Sequence, residues 1–189
     1  MSVKDMIEIR PLSEFNPDQV RELISGYTSS AIYKVTKDEN DTSTVISLDL
    51  KYLETPYVKQ WESSDEEIEC YRKMIKEGLS LGVYDSNRLV GIAIVEKKMW
   101  NRTLWIWELH VNPEYQRKGI GKQLIEHLMT IGREVDCRVI VCETQNTNVP
   151  AISFYRSVGF EIGAIDLSYY TNDDITDFEV AVFMKRFIS

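Results

Sequence analysis

Two histidines and three cysteines are all the soft metal-binding chemistry that these 189 residues contain. Cys70, Cys137 and Cys142 are an odd number, at spacings unlike a zinc site or a redox pair, so neither a metal nor a disulfide framework is expected. Cys142 lies in an apolar run and reads as core filling. No stretch approaches about eighteen apolar residues, which argues against a membrane span. Residues 1–10 (MSVKDMIEIR) also lack the basic start and apolar run of a signal peptide. Basic residues are the minority: 22 Lys+Arg against 30 Asp+Glu give a formal charge of −8. That balance disfavours nucleic acid or an anionic membrane as partner and favours encounter with cations. No repeat, low-complexity tract or Pro/Gly-rich linker divides the chain. The expectation is a single cytoplasmic domain over residues 1–189.

What is present is globular, at 43% hydrophobic and 28% charged residues. Ile7 to Arg10 alternates as a short strand, and Asn16-Pro17 opens a helix through Ser25. Residues 26–43 are polar, hold the acidic run Asp38-Glu39-Asn40-Asp41, and read as a loop before a strand from Thr44 to Leu53. Ser64-Asp65-Glu66-Glu67 is a capping box for a helix ending near Glu77. A meander follows over 81–84, 89–100 and 103–111, then a helix over 119–134 whose apolar face is Ile120, Leu124, Leu128 and Ile131. A short buried strand (139–142), a helix (149–158) and two strands (161–169 and 177–187) around Thr171–Asp174 complete the chain. The fold class is α+β: a mixed, mostly antiparallel central sheet flanked by about four helices. The aromatic-rich last strand offers an edge on which a second copy would form a homodimer.

The informative stretch runs from Leu109 to Lys122: a strand end, a basic glycine-containing loop and the start of an amphipathic helix. A helix N-terminus presents unpaired N–H groups and the positive end of the dipole, so this junction suits an anion such as diphosphate. Gly119 and Gly121 permit close backbone approach, and Arg117, Lys118 and Lys122 add charge. Two nucleotide-binding readings fail on spacing. A phosphate loop of the GxxxxGK[ST] type needs glycine at Gln116 and Ser or Thr at Gln123, and a dinucleotide fingerprint needs glycine at Leu124.

What remains, Gln116-x-x-Gly119-x-Gly121, resembles the pyrophosphate loop of the GNAT superfamily of N-acetyltransferases. Asn148-x-x-Ala151-x-x-Phe154-Tyr155, followed by Gly159-Phe160, resembles a second segment of that family. The resemblance implies acetyl-CoA as co-substrate and no metal. It implies that Gln116, Arg117, Lys118, Gly119, Ile120, Gly121 and Lys122 hold the diphosphate. Leu109, His110 and Val111 line the acetyl end, with the Val111 N–H polarising the thioester carbonyl. Asn148 and Ala151 lie along the pantetheine arm, and Tyr155 protonates the departing thiolate. The family usually opens that groove through a bulge in the 105–111 strand, which the sequence does not reveal.

The amine needs a proton acceptor, since an alkylammonium with pKa about 10 is mostly charged at neutral pH. Glu108 on the central strand is one candidate. Glu143 is another, at a spacing from Tyr155 that resembles ribosomal-protein alanine acetyltransferases; His110 is a third and weaker one. No nucleophile with a neighbouring base is evident, so the expected chemistry is direct attack of the amine on the thioester.

For the acceptor, the stretches outside the shared motifs are rich in acids (Asp38, Glu39, Asp41, Asp49, Glu54, Glu62, Asp173, Asp174, Asp177) and aromatics (Tyr27, Tyr33, Tyr52, Tyr57, Trp61, Tyr169, Tyr170). Such a cleft suits a cationic small-molecule amine. The segments Tyr52–Lys59, Trp105–Val111 and Leu167–Asp174 resemble streptothricin acetyltransferases of Gram-positive bacteria, which implies the β-lysine amine of that antibiotic as acceptor. A protein N-terminal or lysine acetyltransferase and a non-catalytic acyl-CoA sensor remain as alternatives.

Overall fold

The structure is a computed structural model that describes residues 7–188. Residues 1–6, where the leader signal was sought, and residue 189 lie outside the described residues. In chain order the elements are β1 (Ile7–Pro11), α1 (Pro17–Leu23), β2 (Gly26–Asn40), β3 (Ser43–Gln60) and α2 (Asp65–Ile75). Then come β4 (Leu81–Asp85), β5 (Arg88–Lys98), β6 (Thr103–Val111), α3 (Ile120–Glu134), β7 (Val139–Gln145) and α4 (Val149–Ser157). The chain ends with β8 (Glu161–Asp166), α5 (Asp174–Asp177) and β9 (Ala181–Phe187). The described residues divide into two compact units: residues 7–25, 61–141 and 187–188 form one, and 26–60 with 142–186 the other.

In the first unit the strands lie in the order β1-β4-β5-β6-β7. β1, β4, β5 and β6 pair antiparallel in turn, so the meander is realised. One face carries Leu12, Val20, Leu23, Ile24, Ile68, Tyr71 and Ile75 from the α1 and α2 side, packed on Leu89, Ile92 and Ile94 of β5. Residues 89–95 of β5 are buried throughout, which is why that strand reads as a continuous apolar run and not as an alternation. The amphipathic helix α3 buries Ile120, Leu124, Ile125, Leu128 and Met129. Each contributes on the order of 2 kcal/mol through removal from water. Both expected caps are formed: the Asn16 side chain accepts from Asp18 N–H, and Ser64 and Glu67 complete the capping box.

A bulge interrupts β6. Ile94 faces Glu108 and Val95 faces Ile106, leaving Trp107 as the extra residue. A bulge bends its strand and re-aims the side chains around it. The sequence carries no mark of it, because Trp105-Ile106-Trp107 is unbroken strand composition.

In the second unit the order is β7-β9-β8, and β2 and β3 form a separate antiparallel ribbon. Residues 26–43, read as a loop, are therefore mostly strand. Residues 36–40 are exposed on both faces and have no hydrophobic alternation to read; cross-strand pairing alone holds them. The acidic run Asp38–Asp41 sits at the exposed hairpin end. β3 is twice as long as expected because Leu53–Pro56 bulges out between the Ser29–Tyr57 and Ala31–Tyr52 pairs. The bulge accommodates Pro56, which lacks a donor for the ladder.

The C-terminal strands are shorter than expected. Asp166 takes the Ser168 N–H at 3.0 Å and ends β8, and the Thr171–Asp174 turn leads into the single-turn helix α5. Side-chain oxygens there offer the backbone partners that compete with a ladder. Among the described residues the helices thus number five, α5 being the addition. β9 is paired on both sides, so the last strand does not offer the edge expected of it; in this unit the sheet ends at β8.

Candidate active site

β6 ends at Val111, and Pro113–Tyr115 forms one 3-10 turn capped by Asn112, whose side chain accepts from Glu114 N–H at 3.0 Å. Tyr115 donates to Asp85 at 2.6 Å, and the Lys118 ammonium lies 4.8 Å from the Tyr115 ring centre. Gln116 does not reach outward. Its Nε2 donates to the Val111 carbonyl at 3.0 Å and ties the loop to the strand end. Arg117 (φ 59) and Gly119 (φ 83) both adopt left-handed backbone, the kind of alternation that turns successive N–H groups into one concavity.

Gly119 is the N-cap of α3 and gives it no side-chain cap, whereas Asn16, Ser64 and Asn148 cap α1, α2 and α4. The first intrahelical bond is Gln123 N–H to Gly119 carbonyl at 3.0 Å, so the N–H groups of Gly119, Ile120, Gly121 and Lys122 have no helical acceptor. Among the described residues Arg117 and Lys122 carry no salt bridge. Dipole, N–H groups and cations converge on a place for an anion.

Asn112 N–H bonds the Val90 carbonyl at 2.8 Å. Alternate residues of an antiparallel strand bond the same neighbour, so Val111 N–H points away from β5. Val111 N–H is therefore no part of the β5–β6 ladder. Leu109 faces Ala93 across the β5–β6 ladder, and Glu108 and His110 share one face of β6. Tyr71 of α2 donates to Glu108 Oε1 at 2.6 Å, and His110 Nε2 lies 2.7 Å from Glu108 Oε2. The Trp61 ring stands edge-on to the imidazole at 6.3 Å. Burial, then the charge of Glu108, push the Tyr71 hydroxyl up, so it stays a donor at any physiological pH.

The second unit holds the remaining expected residues. Tyr155 is buried on α4, its ring 5.3 Å from that of Phe154 and 5.1 Å from that of Phe160. It hydrogen-bonds the Cys142 side chain, and burial pushes the Cys142 thiol far up. A thiol held protonated in this way is no nucleophile. Asn148 spends its side-chain oxygen on the Ala151 N–H at 3.1 Å, capping α4. Glu143 lies inside β7, not at its end, and accepts a hydrogen bond from the Tyr170 hydroxyl. Burial, followed by the Glu143 charge, keeps Tyr170 neutral.

The same unit gathers Tyr27 and Tyr57 of the expected aromatics, together with a carboxylate that the sequence does not flag. Glu179 accepts from the Tyr57 hydroxyl at 2.9 Å and from the Lys59 ammonium at 2.7 and 2.8 Å. Burial, and then Glu179, push the Tyr57 hydroxyl up to about 12. The Tyr27 ring is 6.1 Å from that of Tyr57, and its hydroxyl meets Thr147 Oγ1 at 2.6 Å. None of the expected acids joins this cluster: Asp38, Glu39, Asp41, Asp49, Glu54, Glu62, Asp173 and Asp177 are exposed, and Asp174 is consumed by backbone N–H groups. Tyr71, too, was not foreseen; its signal was an apolar-face tyrosine on a capped helix, indistinguishable from core. Among the described residues no group of three or more His, Cys, Asp and Glu is placed to hold a metal, and no helix is long and apolar enough to cross a membrane.

The profile of the acetyltransferase (GNAT) family matches residues 48–160. Streptothricin acetyltransferase A of Bacillus subtilis (strain 168) is 30% identical over 129 residues, covering 68% of this chain and 72% of that one. The streptothricin acetyltransferase of Streptomyces lavendulae is 37% identical over 82 residues, but the match spans only 43% of either chain. The ribosomal protein bS18-alanine N-acetyltransferase of Escherichia coli (strain K12) is 29% identical over 96 residues, 51% of this chain and 64% of that one. In fold, the chain superposes on the acetyl coenzyme A complex of a Bacillus anthracis str. Ames protein with TM-score 0.72 at 23% identity, over 96% of this chain and 99% of that one. With a GNAT profile matched across the loop, α3 and α4, this chain belongs to the GNAT family of acetyltransferases.

Proposed function

We propose that the protein transfers the acetyl group of acetyl-CoA to an amino group of a cationic small molecule, the β-lysine amine of streptothricin. The observation that carries the cofactor reading is the uncapped N-terminus of α3 behind the left-handed Arg117 and Gly119. That arrangement fits the diphosphate, with Arg117, Lys118 and Lys122 supplying charge. Val111 N–H is the donor for the thioester oxygen, and Tyr155 the acid for the leaving thiolate. The amine attacks directly: Cys142, whose thiol burial keeps protonated, forms no acyl-enzyme. Glu108 and Glu143 are the carboxylates that serve the amine's proton. The chain's free cysteines support the cytoplasm as its compartment.

The acceptor rests on the match to streptothricin acetyltransferase A over two-thirds of the chain, and on the net charge of −8, which favours a cation. The match to the bS18-alanine acetyltransferase supports a protein N-terminal acceptor as second reading. Release of free thiol from acetyl-CoA by the purified protein decides between them. Streptothricin, spermidine and an Ala-initiated peptide serve as acceptors, with mass spectrometry of the product. One added acetyl on streptothricin alone is the expected result. Acetylated peptide alone keeps the cofactor assignment and overturns the acceptor.

A further inference from the structure

We infer that His110 Nδ1 takes the proton of the acceptor amine, and that Glu108 is the positioning residue that prepares it. This rests on the acetyltransferase reading above and changes the role of Glu108 within it. Both oxygens of the Glu108 carboxylate are already engaged, Oε1 by the Tyr71 hydroxyl at 2.6 Å and Oε2 by His110 Nε2 at 2.7 Å. An ionised carboxylate only accepts, so the hydrogen of the second contact belongs to Nε2. That fixes the tautomer and leaves the Nδ1 lone pair as the basic site. Among the described residues Nδ1 has no hydrogen-bond partner.

The imidazole is placed for this use. It keeps 18% of its side-chain surface exposed, so a ligand can reach it, while Trp61 stacks edge-on and limits its rotation. It also sits next to Val111, whose N–H points away from β5. With the thioester oxygen on the Val111 N–H, as proposed above, the imidazole is the titratable side chain next to it along β6. Tyr71 completes the support. Its raised pKa keeps the hydroxyl as a donor, so it restrains the carboxylate without competing for the proton. The charged and titratable groups around this dyad are Glu108 on β6 and Tyr71 on α2, with Glu67 and Cys70 of α2 acting on Tyr71.

The step balances. The ammonium gives one N–H proton to Nδ1 and its lone pair forms the new C–N bond. The C–S bond breaks with its electron pair on sulfur, the Tyr155 hydroxyl gives its proton to that sulfur, and a second N–H proton from the same nitrogen restores the hydroxyl. The products are the amide, free coenzyme thiol and imidazolium, which returns its proton to water.

The test is kcat/KM for streptothricin against pH in the wild-type protein and in His110→Gln, Glu108→Gln and Tyr71→Phe, with acetyl-CoA affinity measured by calorimetry. General-base catalysis contributes on the order of 10²–10⁴-fold, so His110→Gln should lose at least about 100-fold at pH 7 with acetyl-CoA affinity kept. Its residual rate should go on rising towards pH 10, following the free amine, where the wild type levels off. Glu108→Gln no longer fixes the tautomer of the imidazole, and should lower kcat by about tenfold with acetyl-CoA affinity kept. Tyr71→Phe should lose less than about tenfold. A His110→Gln profile that keeps the wild-type plateau overturns the inference. Should that variant fail to fold, an undiminished kcat in Glu108→Gln overturns it equally. Wild-type protein that acetylates none of the acceptors overturns the acetyltransferase reading itself, and that outcome is separate from active wild type with indifferent variants.

Discussion

Asn146 and Tyr33 bond each other twice: Tyr33 N–H reaches the Asn146 carbonyl at 2.9 Å, and Asn146 Nδ2 reaches the Tyr33 carbonyl at 2.7 Å. The same side chain accepts from Val180 N–H at 2.8 Å, and Asn146 N–H donates to the Val180 carbonyl at 2.9 Å. One buried asparagine thus joins β2, the end of β7 and the approach to β9 within the second unit. Asn146→Ala leaves the Tyr33 carbonyl and the Val180 N–H without their partner. Each orphaned buried group costs about 1–3 kcal/mol, so chemical denaturation should show a loss of at least about 2 kcal/mol. A loss below about 0.5 kcal/mol would mean that water replaces the amide.

Cys142 is predicted to be dispensable for turnover. It is buried against Tyr155 with its thiol pushed up, whereas Cys70 is exposed. Iodoacetamide at pH 7.5 should label Cys70 in the native protein and leave Cys142 untouched, as read by peptide mass mapping. Cys142→Ala should keep kcat within about threefold while losing on the order of 1 kcal/mol of stability from the vacated volume. Loss of turnover on the scale of 100-fold would point to an acyl-enzyme instead.

Tyr155→Phe separates packing from chemistry. The ring contacts with Phe154 and Phe160 survive the substitution, so the melting temperature should move by no more than a few degrees. If the hydroxyl protonates the thiolate, kcat should fall on the order of 100-fold with acetyl-CoA affinity within about twofold. A full-rate variant removes Tyr155 from the mechanism.

The sequence exposes what local chemistry dictates. The capping box at Ser64, the Asn16 cap, the apolar face of α3 and the glycine loop before it are readable because each depends on residues within one turn of one another. The β2–β3 ribbon was not readable. Residues 36–40 are exposed on both faces, and their strand geometry is imposed by partners at 43–47 and not by their own pattern. The bulge at Trp107 is hidden for a similar reason: an extra residue in β6 shows only against the register of β5. In the candidate site, the loop could be read from its glycines and cations, but the contacts of Glu108 could not. Its partner Tyr71 lies 37 positions away, on a helix that the sequence marks only by its capping box and its end.

Gly119→Ala tests the anion site. A Cβ at this position would meet nothing closer than Gln123 Nε2 at 4.0 Å, so the cost is conformational: φ 83 is left-handed. Holding alanine there costs about 1–2 kcal/mol. Melting temperature should fall by several degrees, and the loop should relax and turn its N–H groups away. Acetyl-CoA affinity should then drop by at least tenfold in calorimetry. Affinity preserved alongside lowered stability would detach the loop from the cofactor.

Asp174 gives the second unit an acid-sensitive turn. It is fully buried, and burial alone would raise its pKa. The N–H groups of Tyr170 and Thr171, at 3.1 and 2.6 Å, and the Thr171 hydroxyl at 2.9 Å outweigh burial and hold the carboxyl below its ordinary value. A carboxyl depressed on folding stabilises the folded state above its unfolded pKa of about 3.9, and that contribution is lost as pH falls through the folded value. Asp174→Asn replaces an acceptor by an amide that cannot satisfy all three donors, and should cost on the order of 2 kcal/mol at pH 7. Urea denaturation of both proteins at pH 7 and pH 3 checks the sign. The gap between them should narrow at pH 3, because only the wild type has a carboxylate to lose. A gap that stays constant would place the effect in the shape of the turn and not in its charge.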